Sequence, residues 1–186
     1  MKKGASYILN NDQLFQFGKD ILSKIQGREK PVFLCVGSDK FVCDSLGPIV
    51  AELLKHEYDI PAYVYGGFDY NINACNVTEA IAYIETIHAG SPIILIDVTL
   101  GENVGEVVLK EGCYPALGKT LPIRKVGTIS ILGVVGRKVA NFSLNSTRLK
   151  VIMELSRFIA KGCFLVVNYL ENHKFDKNYQ KISAIN

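Results

Sequence analysis

Two apolar runs in this chain each end on an aspartate. The first, Val32 to Val36, stops at Gly37 and leads into a polar loop carrying Asp39 and Asp44, then the turn Ser45-Leu46-Gly47-Pro48. The second, Pro92 to Leu100 (PIILIDVTL), delivers Asp97 directly. Runs this apolar suit strands covered on both faces, as in a parallel sheet. In open α/β sheets, ligands bind outside the carboxyl ends of the strands. Both acids are therefore expected at the edge where a site belongs.

The rest of the chain alternates in the same way. Residues 11–26 place Leu14, Phe17, Ile21, Leu22 and Ile25 at helical spacing, with Asn11 or Asp12 to cap and Gly27 to stop. Residues 46–57 read as a helix with Pro48 in its first turn, and Ala62 to Tyr65 as a short strand. Asn76 with Glu79 forms a capping-box pattern before a helix whose buried stripe is Ile81, Ile84 and Ile87. Glu106 to Lys110 and Thr128 to Val135 read as strands, and Val139 to Phe142 as a further short one. Between them, residues 111–127 read as a long functional loop. Thr147 to Lys161 is a helix with Leu149, Ile152, Met153, Leu155 and Ile159 inward. Gly162 ends or interrupts it, Phe164 to Tyr169 continues as helix, and the last dozen residues are polar and expected to be loose.

This order predicts an α/β fold with a mainly parallel sheet, helices on both faces and right-handed crossovers. The 186 residues fit one domain, enough to bury roughly 70% of the unfolded surface. Hydrophobic residues make up 48% and charged residues 21%, which excludes disorder outside the ends. The net charge of +3 comes from scattered cations, so no nucleic-acid partner is expected. No apolar stretch reaches the ~20 residues of a membrane span, and no apolar region follows Lys2-Lys3, so the expected location is cytoplasmic. The five cysteines are irregularly spaced. That is neither a disulfide framework nor a zinc pattern, and reduced thiols follow.

Asp44 and Asp97 are the leading candidates for chemistry. Two carboxylates from neighbouring strand ends can share a pocket, where one pKa rises and the pair activates water and protonates a leaving amine. Alternatively both stay ionised and hold a divalent metal, or both merely cap helices and turns. Asp39 suits an Asx-turn. Lys119, in Gly118-Lys119-Thr120, either meets the acids or is a solvated loop cation. Cys43 is a candidate nucleophile without a histidine nearby in sequence. His56, His88 and His173 read as surface or helix-end residues. Tyr63, Tyr65, Phe68 and Tyr70 read as sheet and pocket lining. Thr147 and Arg148 open a helix whose amides could meet an anion, although capping suffices. GxGxxG and Walker A patterns are absent, which argues against a nucleotide.

Four blocks in order carry a resemblance. VGSDKFVCDSLGPIVAELL, IDVTLGENVGEV, GKTLPIRKVGTISILGVV and LNSTRLKVIMELSRFIAKG, together spanning about Val32 to Gly162, resemble the YyaC-like sporulation proteins. That family is similar in turn to the germination protease of spore formers and to hydrogenase maturation proteases. The resemblance implies a three-layer α/β/α sandwich of the phosphorylase/hydrolase type, with residues 11–26 and 163–186 outside the family-like core. It also implies an aspartic-type peptidase whose catalytic pair falls on Asp44 and Asp97. Gly37, Ser38, Asp39 and Lys119 would bind a protein or peptide substrate. The metal-binding acids of the maturation enzymes fall on the same two aspartates, and no residue matches their histidine. Cys43 stands where the family has a glycine, and Thr128 where it has an acid. The implied setting is the cytoplasm of a mother cell or forespore.

Two other functions remain open on these residues. In one, the cleft serves as a non-catalytic module for a peptide, metal or small ligand. Or it is vestigial and the surface does the work, with Phe164 to Tyr169 packing a homodimer.

Overall fold

The computed structural model describes residues 4–25, 30–113, 126–137 and 146–183. Its elements run β1 (Ala5–Tyr7), α1 (Asn11–Ile25), β2 (Val32–Cys35), α2 (Leu46–Glu52), β3 (Tyr63–Tyr65), α3 (Val77–Ile87), β4 (Ile93–Gly101), β5 (Val107–Cys113), β6 (Val126–Arg137) and α4 (Leu149–Ser183). A 3₁₀ turn at Val42–Asp44 precedes α2, and a π turn at Leu53–Glu57 extends it.

The six strands form one sheet in the order β1-β5-β6-β4-β2-β3. β6, β4, β2 and β3 pair in parallel, and β5 is antiparallel to both β6 and β1. Only β5 thus runs against the others. The reversal follows from the short Gly101–Gly105 turn, which carries the chain from the end of β4 past β6 without a crossover helix, so that β5 lies antiparallel on the far side of β6. β1 does not announce itself in the sequence. Its three residues, Ala5-Ser6-Tyr7, are too few to show a period.

Side-chain alternation along the strands separates two cores. Phe33, Cys35, Ile94, Ile96, Ile129 and Ile131 point to the face covered by α1, α2 and α4. Val32, Leu34, Val36, Ile93 and Leu95 point to the face covered by α3, where Val77, Ile81 and Ile84 meet them. The central strands are buried on both faces, and the architecture is a three-layer α/β/α sandwich.

Several local expectations change. Ile87 is 56% exposed and Leu149 55% exposed, because each lies at the end of its helix, beyond the sheet it would cover. The capping box does not form: the Asn76 Oδ1 accepts from the Asn73 N–H at 2.8 Å, and the Val77 N–H is taken by the Asn73 carbonyl at 2.9 Å. Gly162 does not end the helix. It lies within α4 because Phe17 of α1 packs there, and a Cβ on Gly162 would come within 2.5 Å of that ring. α4 continues to Ser183, so most of the polar stretch expected to be loose is helical. Val166, Val167 and Leu170 are buried, and the Phe164 ring lies 4.8 Å from that of Tyr58. The apolar stretch assigned to a dimer contact is thus largely spent on the protomer's own core.

The two ends of the expected 111–127 loop are strand instead, Glu111 to Cys113 closing β5 and Val126 and Gly127 opening β6; the remainder, 114–125, and the expected strand at Val139–Phe142 lie outside the described residues. The anchors of that loop are described, however. Cys113 pairs with Val126, which precedes Leu132, the strand partner of Asp97, by a distance of roughly 20 Å along β6. Cys113 and Val126, the described residues that flank the Lys119 segment, therefore lie at the amino edge of the sheet, opposite Asp97.

α2 is seated by Gly47. Its ideal Cβ would lie 2.1 Å from the Val36 carbonyl oxygen, so even one methyl group pushes the helix off β2. Gly47→Ala is expected to lower stability by about 3 kcal/mol or more, measured by urea unfolding.

Candidate active site at the carboxyl edge

Asp44 reaches the sheet because the chain folds back immediately after β2. Gly37 has φ 142°, a conformation that favours glycine, and its ideal Cβ would lie 2.1 Å from the Asp44 carbonyl oxygen. The Ser38 N–H donates to that carbonyl at 3.0 Å, and the Asp44 N–H donates to Phe41 at 2.9 Å. The loop is thus a closed ring of backbone bonds that ends in the 3₁₀ turn. Ser45 then donates its hydroxyl to the Val42 carbonyl at 2.9 Å, and its own carbonyl accepts the Ile49 N–H at 3.0 Å.

Asp97 follows Ile96, the last β4 residue paired with β2. Alternation points its side chain to the α3 face, where a cleft of about 170 Å³ opens. Val36, Gly37 and Asp44 form one wall, Asn73, Ala74 and Val77 a second, and Asp97 and Val98 the floor. The space takes a few waters or one small group.

Asp97 is only 7% exposed. Burial is the main cause that pushes its carboxyl from 3.8 up to about 7. The Val98 N–H, donating to Oδ1 at 2.7 Å, pulls the other way, and the nearby Asp44 charge adds a smaller upward push. Asp44 is also raised by burial, against the opposing Ser38 amide. Like-charge repulsion was the expected cause of a raised pKa; desolvation is the larger one. The pair is unequal, with one acid nearly sealed from water and one partly open to it.

The other candidates stand as follows. Gly37 lines the cleft. Ser38 is buried but does not line it, and its hydroxyl accepts the Lys40 N–H at 3.3 Å. Asp39 is exposed, away from the cleft lining, and its N–H donates to Asn71 Oδ1 at 3.2 Å. That is a turn residue's role. Lys119 lies outside the described residues. Cys43 is buried, and burial followed by the Asp44 charge raises its thiol, which opposes a nucleophilic role. His88 is bonded to the Tyr65 hydroxyl at 2.6 Å and His56 to Glu52 at 3.4 Å, so neither serves the acids. The aromatic cluster does not line the cleft: Tyr63, Phe68 and Tyr70 are exposed.

The wall formed by Asn73 and Ala74 was not anticipated. Asn76 Nδ2 donates to the Asn71 carbonyl at 2.9 Å, and Asn71 Nδ2 donates to Gly67 at 2.7 Å. Asn73 Oδ1 accepts from the Cys75 N–H at 3.0 Å. The signal was present in the run Asn71-Ile72-Asn73-Ala74-Cys75-Asn76, whose asparagines favour bonding to their own backbone. Gly37 ties this wall to the first loop by donating to the Ile72 carbonyl at 2.7 Å.

Among the described residues, no group of three or more His, Cys, Asp or Glu side chains is placed to hold a metal. A hard divalent cation would find two carboxylates, one of them pushed up to about 7 by burial and so ionised only in part near neutrality, and Asn73 Oδ1 already engaged. It would have to draw most of its oxygen shell from water or substrate.

The family described as "Protein of unknown function (DUF1256)" matches residues 5–162. The chain belongs to that family. Within it, the chain is similar to the uncharacterized protein YyaC of Bacillus subtilis (strain 168), with 31% identity over 139 residues, covering 72% of this chain and 68% of that one. Among solved structures, this DUF1256 member is similar to a peptidyl-tRNA hydrolase, with a TM-score of 0.51, 11% identity, and coverage of 76% of this chain and 94% of that chain. The shared fold bears out the expected hydrolase-like architecture. A [NiFe] hydrogenase maturation protease, HycI from Thermococcus kodakarensis KOD1, gives a TM-score of 0.43 at 17% identity over 77% of this chain and 97% of that chain. No helix among the described residues is long and apolar enough to cross a membrane.

The raised Asp97 pKa has a measurable consequence for stability. Below pH ~4 the carboxyl is protonated both folded and unfolded. Between ~4 and about 7 the folded state holds the extra proton, so stability falls as pH rises through that window and levels off above it. Asp97→Asn keeps an acceptor for the Val98 N–H and removes the buried charge. It is expected to exceed wild type by roughly 3 to 4 kcal/mol at pH 8 and to match it at pH 4, measured by denaturant unfolding.

Proposed function

We propose that this protein is a peptidase-like hydrolase that uses Asp44 and Asp97 as an unequal acid pair. The observation that carries the reading is a sealed carboxyl titrating at about 7 beside a second, more open carboxylate in one cleft at the carboxyl edge. Perturbed titrating groups in a cleft are the pattern of acid–base sites.

The two environments suggest the division of labour. Asp44, the less buried acid, takes a proton from water held between the pair, and the water oxygen attacks the substrate carbonyl. Asp97, protonated up to about neutrality, donates a hydrogen bond to the carbonyl oxygen as charge develops there. It then passes its proton to the departing amine, and the proton taken by Asp44 restores the pair. Gly37 holds the Asp44 loop against β2 so that the water faces the carbonyl. The four-block likeness to sporulation proteins further supports a place for this activity in the cytoplasm of a spore-forming cell.

The second reading is a binding module without turnover. It is favoured by the small size of the cleft, about 170 Å³, which takes one small group more readily than a length of polypeptide. In that case the cleft would hold a small ligand through the same two acids.

One experiment separates the two. With a library of unstructured peptides, wild-type turnover is expected to decline as pH rises through about 7, as Asp97 loses its proton. Asp97→Asn is expected to lower turnover by about a thousandfold while remaining folded by circular dichroism. Equal turnover in the two proteins would sink the hydrolase reading.

A further inference from the structure

Among the side chains that line the cleft, only those of Asp44, Asp97 and Asn73 are polar. The orientation of the Asn73 amide is fixed. Its Oδ1 accepts the Cys75 N–H at 3.0 Å, a role its nitrogen cannot take. Nδ2 is then the free end of the group, and it has no hydrogen-bond partner among the described residues. The backbone around it offers little competition. The N–H groups of Val36, Gly37, Asp44 and Val77 all end on carbonyl oxygens, and that of Val98 ends on the Asp97 carboxyl. A donor without a partner thus stands in the same small space as the two acids.

That donor is held in place before any ligand arrives. The Asn73 N–H donates to Asn76 Oδ1 at 2.8 Å, and the Asn73 carbonyl accepts the N–H groups of Asn76 at 3.1 Å and Val77 at 2.9 Å. The turn is tied to the end of β2, where Ile72 bridges Val36 in parallel and its carbonyl accepts the Gly37 N–H at 2.7 Å. The segment leading into it is tied to α2 and its π turn. There the Glu52 carboxylate accepts the Phe68 N–H at 2.8 Å, and the Lys55 ammonium donates to the Gly66 carbonyl at 2.6 Å. A fixed neutral donor needs no reorganisation when charge develops on an oxygen in front of it.

The acid pair leaves such a role open. Asp97 has one proton, and hydrolysis sends that proton to the departing amine. As it leaves, an oxyanion would face a bare carboxylate. Resting on the hydrolase reading, we infer that Asn73 is a further catalytic residue, whose Nδ2 donates to the substrate carbonyl oxygen as water adds to the carbon. The bond persists while the Asp97 proton moves to the amine, the C–N bond breaks and the carbonyl re-forms. Asn73 itself neither gains nor loses a proton.

Two variants test this. Asn73→Asp keeps an acceptor for the Cys75 N–H and loses the donor. Asn73→Ala loses both and adds no charge. The probe is the unstructured library peptide that wild type cleaves fastest, with a twin carrying sulfur, a poorer acceptor, in place of the scissile carbonyl oxygen. In both variants kcat is expected to fall about a hundredfold, with KM within about twofold of wild type. The penalty for sulfur should shrink about tenfold or more, because the lost bond no longer distinguishes the two atoms. In Asn73→Ala the decline of turnover with rising pH should stay where wild type has it, since no titrating group has changed. Circular dichroism checks the fold, and Asn73→Asp decides if Asn73→Ala unfolds. Wild-type kcat in the folded variants, or a raised KM with kcat retained, overturns the inference. So does an unchanged sulfur penalty, because a displaced wall slows both peptides alike. Cleavage abolished by Asp97→Asn but untouched by the Asn73 variants would leave the hydrolase reading standing alone. A sulfur penalty lost in Asn73→Ala, with full turnover in Asp97→Asn, would retain the donor and refute the acid pair. No cleavage by wild type overturns both.

Discussion

Everything at the carboxyl edge depends on how closely the chain folds back on the end of β2. The Gly47 backbone sits against the Val36 carbonyl, and Gly37 against the Asp44 carbonyl, at separations that leave no room for a Cβ. These two contacts set the height of α2 above the sheet and the path of the loop before it. Asp44 is carried on that loop, so its distance from β4 is decided by backbone packing. The acid itself contributes little to its own placement.

The second element of the site has a different origin. Asp97 occupies its position because β4 is central and apolar, with Ile94, Leu95 and Ile96 fully or almost fully buried just before it. Strand alternation carries the next side chain into the region beneath α3 whether or not a charge is welcome there. The energetic answer is a proton: a carboxyl with one amide donor and no cation is more stable neutral. The asymmetry between Asp97 and Asp44 is thus a direct result of sheet position, one acid in the sheet and one on a loop. That asymmetry is what acid–base chemistry at moderate pH requires.

The third wall depends on side-chain amides. Asn71, Asn73 and Asn76 bond to backbone groups of their own segment and fix a turn that no regular element supports. This explains why the expected capping box is missing. Asn76 is a strong helix cap in isolation, yet here its oxygen is more valuable closing the turn, and a backbone carbonyl starts α3 in its place. Local propensity yields where a bend has buried donors to satisfy.

The sequence by itself determined the layer order, the central strands, the helix faces and the two acids. These rest on short-range periodicity and on apolar runs that cannot face water. It did not reveal β1, the reversal of β5, the continuity of α4 through Gly162, or which loop residues enclose the cleft. Each of those depends on what lies opposite in space: β5 opposite β1, Phe17 opposite Gly162, the asparagine turn opposite Gly37. Only tertiary structure decided that Asp44 and Asp97 share one cleft and titrate unequally, because burial depends on the whole fold and leaves no mark in the spacing of residues.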